Sequence, residues 1–303
     1  KSIVMSKRIL IFGGSGFIGS SLTNALCNKG HQICVVCSDK ERALDKLGLI
    51  KGLQVTAIDV LNENAVRHLV KDHDIIINLI GKLFEAKKGD FSKFHHKFPE
   101  FLSKNISDKQ RLIHISALGI EGSCKTSIYA QTKLDGQKAI IKNSKNYNII
   151  KPSIVFGDCD NFFNLFAKMS KTSPFLPLIG GGKAKFSPIY VEDLVKSIAL
   201  LVEDNKKYKN KIFESYGPDT SSFKELMQFI LKITGRRRFL INLPFSIAKI
   251  QATLLNMFRI YLLTPDQVEL LKYDNIASNK HDNIDKIIGN LKSFKQIVPK
   301  YLR

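Results

Sequence analysis

Arg8-Ile9-Leu10-Ile11-Phe12-Gly13-Gly14-Ser15-Gly16-Phe17-Ile18-Gly19 is the stretch that decides the fold. Its first half is an apolar run of strand length. Its second half spaces glycines as Gly-x-x-Gly-x-x-Gly, and the residues from Phe17 to Lys29 suit a helix. Strand, glycine turn and helix in that order make the phosphate cradle of a dinucleotide site. Glycine is required there for steric reasons. Without a Cβ the turn is tight, the backbone can touch a pyrophosphate, and the amide-rich start of the helix faces the phosphates. Gly13, Gly14, Ser15, Gly16, Phe17, Ile18 and Gly19 are therefore expected to bind the cofactor.

Working outward, short apolar runs recur between helix-length segments: Arg8 to Phe12, Gln32 to Val36, Leu53 to Ile58, Asp74 to Leu79, Arg111 to Ile115 and Asn148 to Ile150. This alternation predicts an α/β chain, a Rossmann-type doubly wound parallel sheet. The unbroken Ile75-Ile76-Ile77 suits a strand buried on both faces. Pro152 interrupts the pattern, and the Phe-, Pro- and Gly-rich sequence after it predicts a smaller C-terminal lobe over the carboxyl ends of the strands. Residues 1–155 are assigned to the nucleotide-binding domain, with 188–218 returning to it, and 156–303 to the lobe.

At 303 residues, 44% hydrophobic and 24% charged, the chain has the composition of a globular protein. Its net charge of +20 favours anionic partners such as a phosphorylated cofactor, an acidic protein surface or anionic lipid headgroups. Nucleic acid is not expected, because the lysines are dispersed, Arg236-Arg237-Arg238 is the one tight basic run, and no nucleic-acid motif accompanies it. Five cysteines without framework spacing point to a reducing compartment. Cys34-x-x-Cys37 lies in a strand, where odd spacing sends the side chains to opposite faces, and His95-His96 lacks an i, i+4 pair, so no metal site is predicted. The apolar run at the N-terminus ends in the glycine loop and reads as a strand rather than a secretory signal, with Met5 as a candidate natural start. No apolar stretch of about eighteen residues is present to span a bilayer. In Leu243 to Leu263, Ile247, Ile250, Leu254, Phe258 and Tyr261 share one helical stripe; the segment is amphipathic and basic, suited to core packing or to docking on a membrane or apolar partner.

Tyr129 and Lys133 lie four apart in a helical segment and share a face. A lysine cation beside a phenol lowers its pKa from about 10 toward neutrality, which makes Tyr129 a candidate general acid or base. Ser116 ends the preceding strand, thirteen residues upstream, and can hydrogen-bond a substrate oxygen. Ser116, Tyr129 and Lys133 are the candidate catalytic set.

With these motifs the chain resembles the short-chain dehydrogenase/reductase superfamily, in its extended and atypical branches. The resemblance implies that Asp59, with Val60 beside it, contacts adenine, that Asn78-Leu79-Ile80-Gly81 lies behind the ribose, and that the segment containing Pro152 leads into the lobe. Ser187 to Asp193 resembles the segment returning toward the cofactor domain. Ile75 to Gly81, Asp160 to Phe166, Leu243-Pro244-Phe245 and Leu263 to Val268 look like the family of nucleotide-binding accessory subunits of respiratory complex I and its alphaproteobacterial relatives. That likeness implies a tightly held NADPH with a structural role. It also implies complex I subunits as partners and a seat by the membrane, on the matrix side in mitochondria or the cytoplasmic side in bacteria. After the second strand, Ser38, Lys40 and Arg42 can hold a 2'-phosphate, whereas Asp39, twenty residues beyond Gly19, can accept from the 2'-hydroxyl of NAD. NADP(H) is the expected cofactor over NAD(H). His95 takes the helix slot where extended enzymes often carry asparagine. The alternative is a free-standing oxidoreductase or epimerase using Ser116, Tyr129 and Lys133.

Overall fold

The computed structural model describes residues 6–204, 207–260 and 262–302; the suggested start at Met5 and Tyr261 of the amphipathic stripe lie outside them. The glycine stretch folds as expected. Strand β1 (Arg8–Phe12) runs into the loop and then into helix α1 (Phe17–Asn28). Five further units follow in the same sense: β2 (Gln32–Cys37), α2 (Lys40–Leu47), β3 (Leu53–Ala57), α3 (Glu63–Lys71), β4 (Ile75–Asn78), α4 (Phe98–Asn105), β5 (Arg111–Ile115), a short α5 (Ile120–Ser123), α6 (Ile128–Asn143) and β6 (Tyr147–Pro152). With the strand Lys211–Ser215 they form a seven-stranded sheet. Its spatial order is β3-β2-β1-β4-β5-β6 followed by Lys211–Ser215, and every pairing is parallel.

Alternation along β1 explains the two helical layers. Ile9 and Ile11 face a core shared with Leu22 and Leu26 of α1 and with Leu194 and Ile198 of the helix Val191–Glu203. Leu10 and Phe12 face the other side, against Val66 of α3, Phe98 and Leu102 of α4 and Ile140 of α6. A strand buried on both faces has no polar side to show, so its sequence is continuously apolar. The chain reverses direction across the sheet between β1 and β4, which opens a crevice at the carboxyl ends of those strands.

Pro152 closes the strand before it from within the ladder. It is the last residue of β6, opposite Ser215, near the end of the ladder, where its missing amide is tolerated. The lobe beyond it carries more regular structure than its loop-rich composition suggests. Helices Phe163–Thr172 and Phe223–Ile233 enclose Phe156, Phe163, Phe223 and Phe294. Asp160 starts the first of these by accepting from the amides of Phe162 and Phe163 at 2.8 and 2.6 Å, and the Tyr301 hydroxyl donates to its other oxygen at 2.6 Å.

The segment 243–263 is not one helix. Leu243 ends a strand, Phe239–Leu243, paired in parallel with Phe175–Ile179; the helix runs Phe245–Met257. Pro244 at its N-cap, with φ −55° and ψ 146°, enforces the break. Only Ala248 and Ala252 are buried in that helix, while Ile247, Ile250, Leu254 and Phe258 stand in solvent. The stripe does not pack into the core. No helix among the described residues is long and apolar enough to cross a membrane.

Candidate functional site

The glycine loop sits at the carboxyl end of β1, at the mouth of the crevice. Gly13 holds φ +80° and its oxygen accepts from Gly16 N at 3.0 Å. A Cβ on Gly19 would lie 2.1 Å from Gly13 O, so the loop closes directly onto its own helix. Helices α2, α3 and α6 are capped by Asp39, Asn62 and Ser127, whose side chains accept from Arg42 N, Ala65 N and Ala130 N. Helix α1 has no side-chain cap. Its first amides and the positive end of its dipole face the glycine loop, an arrangement that suits an anion. The cradle fits a pyrophosphate.

The other candidate binding residues lie at or just beyond the carboxyl ends of β2, β3 and β4. Ser38, Asp39, Lys40 and Arg42 are exposed where β2 meets α2. One oxygen of Asp39 is occupied by Arg42 N at 3.1 Å. Asp59, exposed after β3, accepts from Leu61 N at 2.9 Å, and Val60 beside it is half-buried. Asn78 is fully buried: its Oδ1 accepts from Ile80 N at 3.0 Å and its Nδ2 donates to His114 Nδ1 at 3.2 Å. That pair fixes the turn Leu79-Ile80-Gly81, whose Gly81 lies against the end of the Lys133 side chain.

Helix α6 carries Tyr129 and Lys133 one turn apart. Lys133 is buried and donates to Ile115 O at 3.2 Å; burial pulls its pKa down from 10.5 to about 8. The expected lowering of the Tyr129 pKa does not occur. Burial of the phenol, and then the negative charge of Asp266, push it up to about 12. Its ring meets Phe91 and His95 edge-on at 5.6 and 5.1 Å, an apolar wall that disfavours a phenolate. Ser116 follows β5 and is buried; its hydroxyl accepts from Gln137 Nε2 at 2.6 Å, leaving its own proton free to donate.

Three further residues complete the surroundings. His95 is fully buried and held neutral, its pKa pulled down to about 2 by burial and by the Lys133 charge. Its Nε2 accepts from Lys82 N at 3.0 Å, so the proton resides on Nδ1, 3.4 Å from Thr132 Oγ1. Gln137 sits one turn beyond Lys133 on α6, a spacing readable in the sequence although nothing there gave it a partner. Asp266 was beyond reach of local reasoning. It lies in the stretch Leu263 to Val268, yet accepts from Ser127 Oγ, Ile128 N and Tyr129 N at 2.8, 2.7 and 3.3 Å and so binds the start of α6 from the far end of the chain. Its neighbour Gln267 donates to Leu83 O at 3.2 Å. This strap spans α6 and the loop after β4. A separate open cavity of about 480 Å³, beside Ser187, Tyr216 and Asn283, shares no lining residue with this site.

Comparison with known proteins agrees with this fold. The profile of the NAD dependent epimerase/dehydratase family matches residues 9–214. Among curated proteins, the chain is 28% identical over 302 residues to NADH dehydrogenase [ubiquinone] 1 alpha subcomplex subunit 9, mitochondrial, of Arabidopsis thaliana, covering 94% of this chain and 75% of that one. It is 23% identical to the NADH-ubiquinone oxidoreductase 40 kDa subunit of Neurospora crassa, covering 88% and 71%. To the Mus musculus alpha subcomplex subunit 9 it is 29% identical, and it spans 61% of that protein's length. In fold it is similar to UDP-glucuronic acid 4-epimerase from Bacillus cereus, solved with UDP-glucuronic acid and NAD (TM-score 0.73, 19% identity, 97% of this chain and 98% of that one). It is also similar to dTDP-glucose 4,6-dehydratase from Bacillus anthracis with NAD (TM-score 0.72, 14% identity, 98% and 96%).

Proposed function

The chain belongs to the NAD dependent epimerase/dehydratase family, and we propose that within it this protein is a nucleotide-loaded accessory or assembly subunit of respiratory complex I. The relatives that carry complex I names support the assembly. The Phe91 and His95 rings standing edge-on against Tyr129 support the inference that the nucleotide is structural. A phenol pushed up to about 12 is a poor proton shuttle near neutrality, where a general acid or base works best with a pKa close to the ambient pH. In this reading residues 13–19 hold the pyrophosphate, Asp59 and Val60 the adenine side, and residues 78–81, Tyr129, Lys133 and Pro152 the nicotinamide riboside. Ser38, Lys40 and Arg42 present two cations and a hydroxyl to a 2'-phosphate, which favours NADP(H) over NAD(H). A bound nicotinamide supplies a hydride donor or acceptor. The subunit sits peripherally at the inner membrane, facing the cytoplasm in a bacterium or the matrix in a mitochondrion.

A free-standing oxidoreductase or sugar-nucleotide epimerase is the second reading, and one observation favours it. Lys133 donates to the carbonyl of Ile115, the residue before Ser116, and the Ser116 hydroxyl, which accepts from Gln137, keeps its own proton to donate to a substrate oxygen. Lys133 positions the ribose and Tyr129 moves the proton in that case.

The deciding experiment is affinity purification of the tagged protein from gently solubilised membranes of its source, with proteins and released nucleotide both identified. Co-elution with complex I subunits and stoichiometric NADPH is the expected result. A free monomer or homo-oligomer with exchangeable nucleotide overturns the subunit reading in favour of the enzyme. Charge reversal of Lys40 and Arg42 together is expected to lower NADPH retention by at least roughly tenfold while sparing NADH; equal loss of both refutes the NADP assignment.

A further inference from the structure

The helix Phe245–Met257 is amphipathic in the inverse sense. A helix on a soluble protein turns its large apolar side chains inward and its polar ones out. Here the inward residues are Ala248 and Ala252, both fully buried, packed with Ile179 and Val268. The large side chains point away: Ile250 is 63% exposed, Met257 72% and Phe258 73%. The exposed set at 247, 250, 254, 257 and 258 follows helical spacing, so it forms one outward face. Of the fifteen large hydrophobic residues that are exposed among the described residues, nine lie between Phe239 and Leu262. Apolar surface concentrated in this way marks a docking site.

Charge identifies the occupant. Between Glu225 and Asp266 the chain carries six cations and no carboxylate. Arg236 and Arg238 donate to Ala167 O and Ser170 O, neutral carbonyls near the end of the helix Phe163–Thr172, and so keep their charge at the surface. Lys249 shares one acid, Glu269, with Lys272, which leaves an excess cation at the helix. Arg237 and Arg259 are exposed. An apolar face bordered by uncompensated cations suits an anionic bilayer surface, where the side chains enter the acyl boundary and the cations meet headgroups.

We infer that the outward face of Phe245–Met257, continued through Phe258 and Ile260, is a monotopic membrane-docking surface for anionic phospholipid. The inference refines the membrane seat proposed above and names the residues that make it. The helix has 13 residues and lies in the interface rather than crossing it.

The test is vesicle flotation of the purified full chain. Vesicles of phosphatidylcholine alone are compared with phosphatidylcholine mixed with phosphatidylserine or cardiolipin. The protein is expected to float with the anionic vesicles only, and less well as salt is raised. Ile250→Ser with Phe258→Ser is expected to weaken flotation by at least roughly tenfold. Arg237→Gln with Arg259→Gln is expected to weaken it by roughly fivefold or more per arginine. These side chains are exposed, so melting and nucleotide content should be unchanged, and Leu49→Ser, at an exposed position in another region, should float as wild type. Failure to float with anionic vesicles, or undiminished flotation of the Ile250/Phe258 variant, overturns the inference. So does a concentration-dependent dimer in sedimentation that the same variant abolishes, since the face then belongs to a second copy. Flotation without complex I co-purification would reject the subunit reading and leave this surface standing; co-purification without flotation would do the reverse.

Discussion

Asp266→Ala tests whether the strap from the C-terminal lobe holds the helix that carries Tyr129 and Lys133. The carboxylate receives the Ser127 hydroxyl and the Ile128 and Tyr129 amides, two of the three at under 2.9 Å. A charged acceptor at a helix N-terminus contributes roughly 0.3–2 kcal/mol through the dipole. Hydrogen bonds to a charged group add about 1.5–3 kcal/mol each before water replaces them. Asp266 is half-buried, so water recovers much of the loss, and Ser127 still caps Ala130 N at 3.1 Å. The net cost is about 2–3 kcal/mol. For a chain of this size that lowers the melting temperature by roughly 5 °C.

Asp266→Asn keeps one acceptor oxygen but loses the charge, and should fall about midway. The reasoning also makes a local claim. Hydrogen exchange should quicken in 264–271 and in the first turn of α6, while the β1–β6 sheet stays protected. Asp266 is the second cause of the raised Tyr129 pKa, so its removal should bring the phenol down when titrated by absorbance. A melting temperature within about 1 °C of wild type, or faster exchange spread evenly over the chain, would refute the strap.

Three further outcomes follow from the site. Lys133 holds its proton less tightly folded, at about 8, than at its ordinary 10.5. The unfolded chain therefore binds the extra proton between those values, and stability should rise with pH across that window; below it the full penalty, about 3 kcal/mol, persists. Subtracting the pH–melting profile of Lys133→Met from that of the nucleotide-free wild type isolates the effect, and a flat difference counts against it. Tyr129→Phe should leave complex assembly intact; loss of assembly with nucleotide still bound contradicts a structural cofactor role. Gly19→Val places a side chain where even a Cβ would lie 2.1 Å from Gly13 O, and the product is expected to be insoluble or free of nucleotide. Recovery of a soluble, loaded variant would mean that the loop can open.

The parallel sheet and its glycine loop were legible because they are encoded locally. A buried parallel strand must be apolar throughout, a glycine loop must carry glycine where a Cβ meets backbone, and both leave marks within a dozen residues. Helix α6 was legible for the same reason, through the spacing of Tyr129 and Lys133. Its electrostatics were not. The expectation of an acidic Tyr129 assumed that Lys133 faces the phenol in a polar setting, whereas the lysine turns to Ile115 O and the phenol stands against Phe91 and His95. Those contacts come from Phe91 and the helical turn Ser92–Lys97, more than thirty residues upstream.

The strap shows the same limit at greater range. Asp266 reaches Ile128 across 138 residues of sequence. Neither residue announces the other: Asp266 reads as the third position of an ordinary capping box led by Thr264, and Ile128 as an exposed hydrophobic. Their junction joins two features that the sequence presents separately. Asp266 holds α6, Gln267 holds the loop after β4, and Glu269, three residues on, pairs with Lys249 of the outward-facing helix. Helix α6, the loop after β4 and the helix Phe245–Met257 are thus bolted to one short segment. If the nucleotide crevice and the apolar docking face are both used, a change at either should be felt at Asp266 first. Hydrogen exchange of 264–271, measured with and without NADPH and with and without anionic vesicles, is expected to slow with each ligand. Slowing by one ligand alone would mean that the two surfaces work independently, despite sharing their anchor.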